Sequence, residues 1–380
     1  MHITCTQEDL SRSLQLLQAI TATHNIIPVL ANVRVIATED RIEFQANNLE
    51  LGMKTLIPGK VIEPGITTIP GKVFSRIAYS LPAEEIGIQV TPDHHIDIVY
   101  TDGAYKLLGL SDDEFPEIPI VSSKLLEVSG DTLCSMLNDT RWFTSKQNER
   151  PELSGVYFDL ATTPQCFVGA DSRRIALSYN QDLIEMAEKS VTDGTVASFI
   201  VSGQTCNQVV SAFNASQYVG IGINKNNIIF NDSETIVSGR LIASTFPDYK
   251  QLLPNDNNLF SVIFDTREFK SLLRRIEPLV DEQNYRIIVE LVNNQATISC
   301  EGNTDGVASE YIECIRESGE EKFVIALDHQ YLSQALKPID TARFRIYFTG
   351  KESMIMIESD GIQRYKHLMA PLYLNTNNNT

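Results

Sequence analysis

An α+β chain built of three similar domains is what this sequence leads us to expect, on three grounds. Two Phe-Pro-acid triplets, Phe115-Pro116-Glu117 and Phe246-Pro247-Asp248, stand 131 residues apart in a chain of 380, close to one third of its length. Hairpin patterns dominate the rest of the sequence. A strand, a polar pair and an apolar-faced helix recur in every third. The length points the same way, because 380 residues exceed what one hydrophobic core usually serves.

The first third opens with CTQEDLSRSLQLLQAI, where Thr6 stands three residues before Asp9 in a capping arrangement and Leu10, Leu14 and Leu17 share one face. RIEFQANNLELGMKTLI then alternates on both sides of Asn47-Asn48, and DIVYTDGAYKLLGL turns at Asp102-Gly103. Further hairpins turn at Asn293-Asn294 and near Gly350. The opening helix recurs in LEVSGDTLCSMLNDT and VIFDTREFKSLLRRI, and its anchors Leu10, Leu133 and Phe269 are separated by 123 and 136 residues. A second set, TIPGKVFSRIAYSL, FIVSGQTCNQVVSAF and VIALDHQYLSQALKP, gives each third two copies of the strand–helix unit. This period is too long for a solenoid and favours three domains. The Phe-Pro segments are the seams, since proline removes a backbone donor and stiffens a connector.

Composition narrows the class. With 43% hydrophobic residues there is ample core material, while the longest apolar runs, such as FVIAL, are far too short to span a bilayer. The N-terminus lacks a basic region followed by an apolar stretch, so no secretory signal is expected. Six scattered cysteines without a Cys-x-x-Cys pair read as buried thiols of a reducing cytosol.

Catalytic motifs are missing. PGITTIPGKV has five residues between Gly65 and Gly71 where a phosphate loop needs four, and Val73 where it needs Ser or Thr, so it reads as a turn entering a helix. No Gly-x-Ser-x-Gly elbow accompanies the Ser-Gly dipeptides. His94 and His95, adjacent on a strand, point to opposite faces and cannot easily share a metal. Asp112-Asp113 reads as a solvated turn. No catalytic residue, metal or cofactor is therefore expected.

A net charge of −18 argues against nucleic acid when taken alone. Its distribution is uneven. Residues 70–81, 141–150, 203–213, 269–276 and 329–338 together carry +8, which leaves −26 for the remainder. Ordinary solvated faces are one account; helices lining a phosphate-facing surface inside an acidic exterior are the other.

IIPVLANVRV after the first helix, GADSRRIAL, STFPDYKQLLP, a terminal LMAPLYL and the Phe-Pro connectors occur in order from Met1 to about Leu374. Together they resemble the bacterial DNA polymerase III beta subunit, the sliding-clamp family. The resemblance implies a head-to-tail homodimer closed into a six-domain ring, with helices lining the hole and sheets outside. Its domains would span 1–122, 123–254 and 255–374, followed by a polar tail at 375–380. It implies duplex DNA as an encircled, sequence-independent partner, contacted at His24, Lys72, Arg76, Arg141 and Gln204. The family carries a basic residue where this chain has His24 and Gln204, which implies weaker contact there.

The family's second site is a cleft for short linear peptides from the replicative polymerase, the clamp loader and repair proteins. By resemblance its walls are Leu153, Ala170, Ser172, Arg173, Arg174, Ile175, Pro247, Gln251, Leu252, Tyr331, Met354, Leu368, Ala370, Pro371 and Leu372. The dimer interface would join a strand around Tyr105 and Leu107 to Leu279 and Val280. Two departures bear on peptide preference: Arg173 stands where the family usually has His, and Ala370-Pro371-Leu372-Tyr373-Leu374 replaces Met-Pro-Met-Arg-Leu. A cytoplasmic, membrane-free, non-catalytic accessory protein is the expectation. A non-encircling scaffold of the same fold is the rival reading.

Overall fold

The computed structural model describes residues 1–380 apart from 22–26, 40, 122, 147–148, 162–163, 182, 184–197, 255–259, 303–305, 318–321, 362–363 and 375–380. Six α-helices among the described residues keep the rhythm of two per third: α1 Gln7–Gln18, α2 Gly71–Ser80, α3 Gly130–Thr140, α4 Gly203–Phe213, α5 Thr266–Ile276 and α6 His329–Leu336. Each follows a strand almost without a loop. The polar pairs that mark these starts are caps. Thr6, Ser129, Ser202, Asp265 and Asp328 each accept a hydrogen bond from the backbone N–H three residues on, at 2.9–3.2 Å. At α1 the bond is reciprocal, since the Thr6 hydroxyl donates to Asp9 at 2.7 Å. Only α2 lacks a side-chain cap; the strand Gly65–Pro70 runs straight into it, where the sequence suggested a turn.

The chain divides into two compact units that do not coincide with the three expected domains. The first holds Met1–Cys134 and Glu185–Ile242, the second Ser135–Ile184 and Ala243–Thr380. The physical reason is sheet continuity. In the first unit an eight-stranded antiparallel sheet runs from Ser123–Val128 through Val219–Asn224, Asn227–Asn231, Thr235–Ile242, Leu51–Ile57, Arg41–Asn47 and Asn32–Thr38 to Gly65–Pro70. Pairing of Val237 with Met53 carries it across two thirds of the sequence. A second sheet orders Lys60–Glu63, His2–Thr6, Glu85–Val90, His95–Tyr100 and Gly103–Leu108, leaving the last as an edge.

The second unit repeats this plan. Gly155–Asp159, Cys166–Ala170, Arg174–Ser178, Tyr365–Met369, Ile355–Ser359, Arg343–Phe348, Phe260–Asp265 and the short Ile315–Arg316 form one sheet. Here Ala176 pairs with His367 across the thirds. A four-stranded sheet orders Gly306–Glu313, Gln295–Gly302, Arg286–Val292 and Lys322–Asp328, with the first at an edge. The helix anchors Leu10, Leu133 and Phe269 are fully buried, as their apolar faces require. All six cysteines are buried free thiols.

Both connectors are riveted rather than loose. In the first unit Phe115 is buried beneath the Arg34 guanidinium, 5.6 Å from its ring centre. Arg34 pairs with Asp112 at 2.8 Å and Glu117 at 2.9 Å. Asp112 is therefore an anchor, and the solvated-turn reading of Asp112-Asp113 is corrected to that extent. His94 sits in a turn with φ 59°, outside the strand that begins at His95. The premise of two histidines on one strand fails for that reason; among the described residues no cluster could hold a metal ion.

Candidate functional site

The expected cleft residues all lie in the second unit, and its sheet register brings some of them together. Ala170 pairs with Ile175, and Ile175 pairs with Leu368, so three of them occupy neighbouring positions on adjacent strands. The C-terminal segment is stitched on by two backbone bonds: Ala370 donates to the Arg173 carbonyl at 2.9 Å, and Leu372 to Ala326 at 2.8 Å. Arg174 ties this strand to α6. Its guanidinium pairs with Asp171 at 2.9 Å, donates to Gln334 at 2.6 Å and lies 4.1 Å over the Tyr331 ring.

Burial separates floor from rim. Leu153, Ala170, Ile175 and Leu368 are buried, so they form or support a floor, and Leu368 at 0% exposure offers no surface of its own. Ser172, Arg173, Pro247, Gln251 and Leu252 are exposed, while Tyr331, Met354, Ala370, Pro371 and Leu372 are half-buried. Aliphatic floor, tyrosine edge and exposed polar rim suit the anchors of a short peptide. Beneath it His367 is wholly buried; burial, helped by the Arg174 charge, pushes its pKa down to about 3, so the imidazole is neutral. Its Nδ1 lies 3.1 Å from the Tyr365 hydroxyl. Asp139, also buried, accepts from Ser178 at 2.8 Å, and its carboxyl is pushed up mainly by burial.

The expected DNA-contacting residues are spread over both units. On α2 the buried face carries Phe74, Ile77 and Ala78, which turns Lys72, Arg76 and Tyr79 outward as one stripe. Gln204 is exposed on α4. Arg141, half-buried, donates to Asn138 at 2.8 Å and lies 4.1 Å over Trp142, the only tryptophan and 61% exposed. His24 lies outside the described residues, as does the expected tail at 375–380.

The charge reading needs correction. Helices are not uniformly basic: α1 carries Glu8 and Asp9 against Arg12, and α3 carries Asp131 and Asp139 with no cation. In α5 two cations are engaged, Lys270 donating to the Ile339 carbonyl at 2.7 Å and Arg275 pairing with Glu310. Arg274 remains on its exposed face.

Of the expected interface residues, Tyr105 and Leu107 sit half-buried on the edge strand Gly103–Leu108, with Leu108 exposed beside them. Leu279 packs against the second unit's core, and Val280, only 8% exposed, belongs to it. The neighbouring edge strand Gly306–Glu313 shows what sequence reasoning missed, with Val307 and Tyr311 more than 70% exposed. Alternation in GVASEYIE was the available signal. An open cleft of about 910 Å³ in the first unit was also unforeseen; Arg12, Glu127, Tyr218, Asp232 and Glu234 are among its lining residues.

Family models of the DNA polymerase III beta subunit match in order: its N-terminal domain over residues 1–119, its central domain over 127–248 and its C-terminal domain over 250–373. The beta sliding clamp of Synechococcus elongatus is 25% identical over 98% of this chain and 100% of its own length. The Bacillus subtilis DNA polymerase sliding clamp superposes with a TM-score of 0.88 at 22% identity, over 98% of this chain and 99% of that one. A Pseudomonas aeruginosa sliding clamp bound to griselimycin gives 0.88 at 20% identity, over 98% and 100%. These structures share the fold, and the three consecutive family matches leave almost no part of the sequence unassigned. The chain belongs to the DNA polymerase III beta subunit family.

Proposed function

We propose that this chain is a sliding clamp: two copies close head to tail around duplex DNA and tether the replicative polymerase, conferring processivity without catalysing a reaction. The observation that carries it is the strand–helix unit repeated six times, set on sheets that continue across the seams of the sequence. Repetition of that kind builds an arc, and a heterologous contact that closes after two copies makes a ring. Domains at 1–122, 123–254 and 255–374 are the arcs in this reading.

A closed ring holds DNA by topology, so a chain of net charge −18 needs only weak phosphate contacts. His24, Lys72, Arg76, Arg141 and Gln204 supply them, Lys72 and Arg76 foremost because both stand exposed on one helix face. Partner proteins dock as short peptides on the floor of Ala170, Ile175 and Leu153, between the Pro247–Leu252 connector and the Ala370–Leu372 segment. The dimer contact uses the exposed edge strand bearing Tyr105 and Leu107 against the face bearing Leu279 and the edge strand Gly306–Glu313. A cytoplasmic location fits this work; no helix among the described residues is long and apolar enough to cross a membrane. Light scattering at micromolar concentration tests the assembly. Twice 42.5 kDa is expected, and a monomer contradicts it.

A further inference from the structure

The second connector is held down by a buried polar chain that its sequence does not announce. Strand Gly155–Asp159 turns Tyr157 and Asp159 to one side, two residues apart, while Val156 and Phe158 enter the core. Onto that side the connector lays Phe246 and Tyr249. The Phe246 and Tyr157 rings stack with centroids 4.6 Å apart and planes 3° from parallel. The Tyr249 hydroxyl donates to Asp159 Oδ2 at 2.8 Å, and Lys250 Nζ lies 3.4 Å from the same oxygen. Because the tyrosine proton is committed to Asp159, the Cys166 thiol, 3.3 Å from the tyrosine oxygen, is the donor there.

Asp159 is 2% exposed, so its carboxylate is stabilised by these partners rather than by water. Burial pushes the Cys166 thiol up to about 12 and the Tyr249 hydroxyl upward too, keeping both protonated as donors. While Phe246 and Tyr249 face inward, the residues between and beyond them, Pro247, Gln251 and Leu252, are exposed. The first connector is held differently, by Arg34 and its carboxylates.

We propose that Asp159 is a positioning residue for the peptide cleft, fixing the connector through Tyr249 and Lys250 so that Pro247, Gln251 and Leu252 present a preformed wall. This rests on the cleft reading above. A wall already ordered in the free protein costs the peptide less to bind than one that must be ordered on arrival.

The test is a double-mutant cycle on the full-length dimer. The probe is a fluorescein-labelled peptide carrying one glutamine and two spaced anchors, leucine and phenylalanine. Tyr249→Phe should weaken it about tenfold, since a buried carboxylate loses a donor and the wall loosens. In a Gln251→Ala/Leu252→Ala background, where the wall has little left to present, the same change should have almost no effect. Lys250→Met, at a half-exposed side chain, gives a second entry into the cycle if Tyr249→Phe fails to fold. Equal weakening in both backgrounds overturns positioning in favour of general destabilisation, and unchanged affinity in the first overturns it outright. Failure of the unsubstituted protein to bind the peptide instead refutes the cleft reading on which the proposal rests.

Discussion

Removing Ala370–Thr380 separates the cleft from the fold that carries it. The segment contributes two backbone hydrogen bonds, Ala370 to Arg173 and Leu372 to Ala326, worth about 1 kcal/mol each, and the half-buried Leu372 adds about 1 kcal/mol more. The second unit's core does not depend on it, because its last member is Met369. The truncated protein should therefore fold, with that unit destabilised by roughly 3 kcal/mol. Peptide binding should suffer directly, because the segment is itself one wall of the cleft. Two anchors contribute roughly 3–6 kcal/mol gross before ordering costs, and a micromolar complex, at about 8 kcal/mol, needs the glutamine and backbone contacts of the peptide as well. Losing one wall removes about half of the anchor contribution, roughly 1.5–3 kcal/mol, which raises the dissociation constant about 10- to 150-fold. Fluorescence polarisation reads the affinity, and thermal unfolding with light scattering reads fold and assembly. A truncated dimer that bound the peptide at full strength would refute this placement of the cleft.

Lys72→Ala with Arg76→Ala should lower the salt slope of direct DNA binding by about 2, one unit per lost phosphate contact; nitrocellulose filter binding across a salt series checks it, and an unchanged slope removes these residues from the DNA-facing set. Arg173→His should alter the ranking of two peptides that differ beside the anchors while leaving the unfolding midpoint unmoved, because Arg173 is exposed; a lowered midpoint with an unaltered ranking would assign it a packing role. His367 makes a prediction about pH. Its folded value, near 3, is depressed from 6.5, so between these limits the unfolded state binds the extra proton and stability falls as pH falls, by about 1.4 kcal/mol per unit. Roughly 2 kcal/mol should be lost between pH 6.5 and about 5, and His367→Phe should flatten that slope in urea titrations. Asp139 and Asp328, which burial pushes up, act with the opposite sign but are common to both proteins and cancel.

The legible parts of this molecule were local. Every helix start but that of α2 shows in the sequence because one polar side chain and one N–H three residues later suffice to cap it, as at Thr6 and Asp265. Turns at Asn293-Asn294 and Asp102-Gly103 were readable within a residue or two for the same reason. What escaped depends on distant partners. Nothing near Met53 foretells pairing with Val237, so the continuity that divides the chain into two units was hidden. Counting charges along a segment could not show that Arg275 would meet Glu310 or that Lys270 would cap a carbonyl. Leu368 and Val280 were expected at surfaces yet are buried, since an aliphatic residue reads alike in a wall and in a core. The link from Tyr249 to Asp159 spans 90 positions and leaves no trace in either neighbourhood.

Topology is the claim on which the rest depends, and retention on DNA addresses it directly. The protein is loaded onto nicked circular DNA by a clamp loader, and half of the sample is then linearised with a restriction enzyme. Gel filtration in high salt separates bound from free protein. A ring held by closure stays with the circles, including when Lys72 and Arg76 are alanine, and runs off the linear molecules. Equal loss from circles and linear DNA would contradict encirclement and leave a scaffold that binds DNA only from the side.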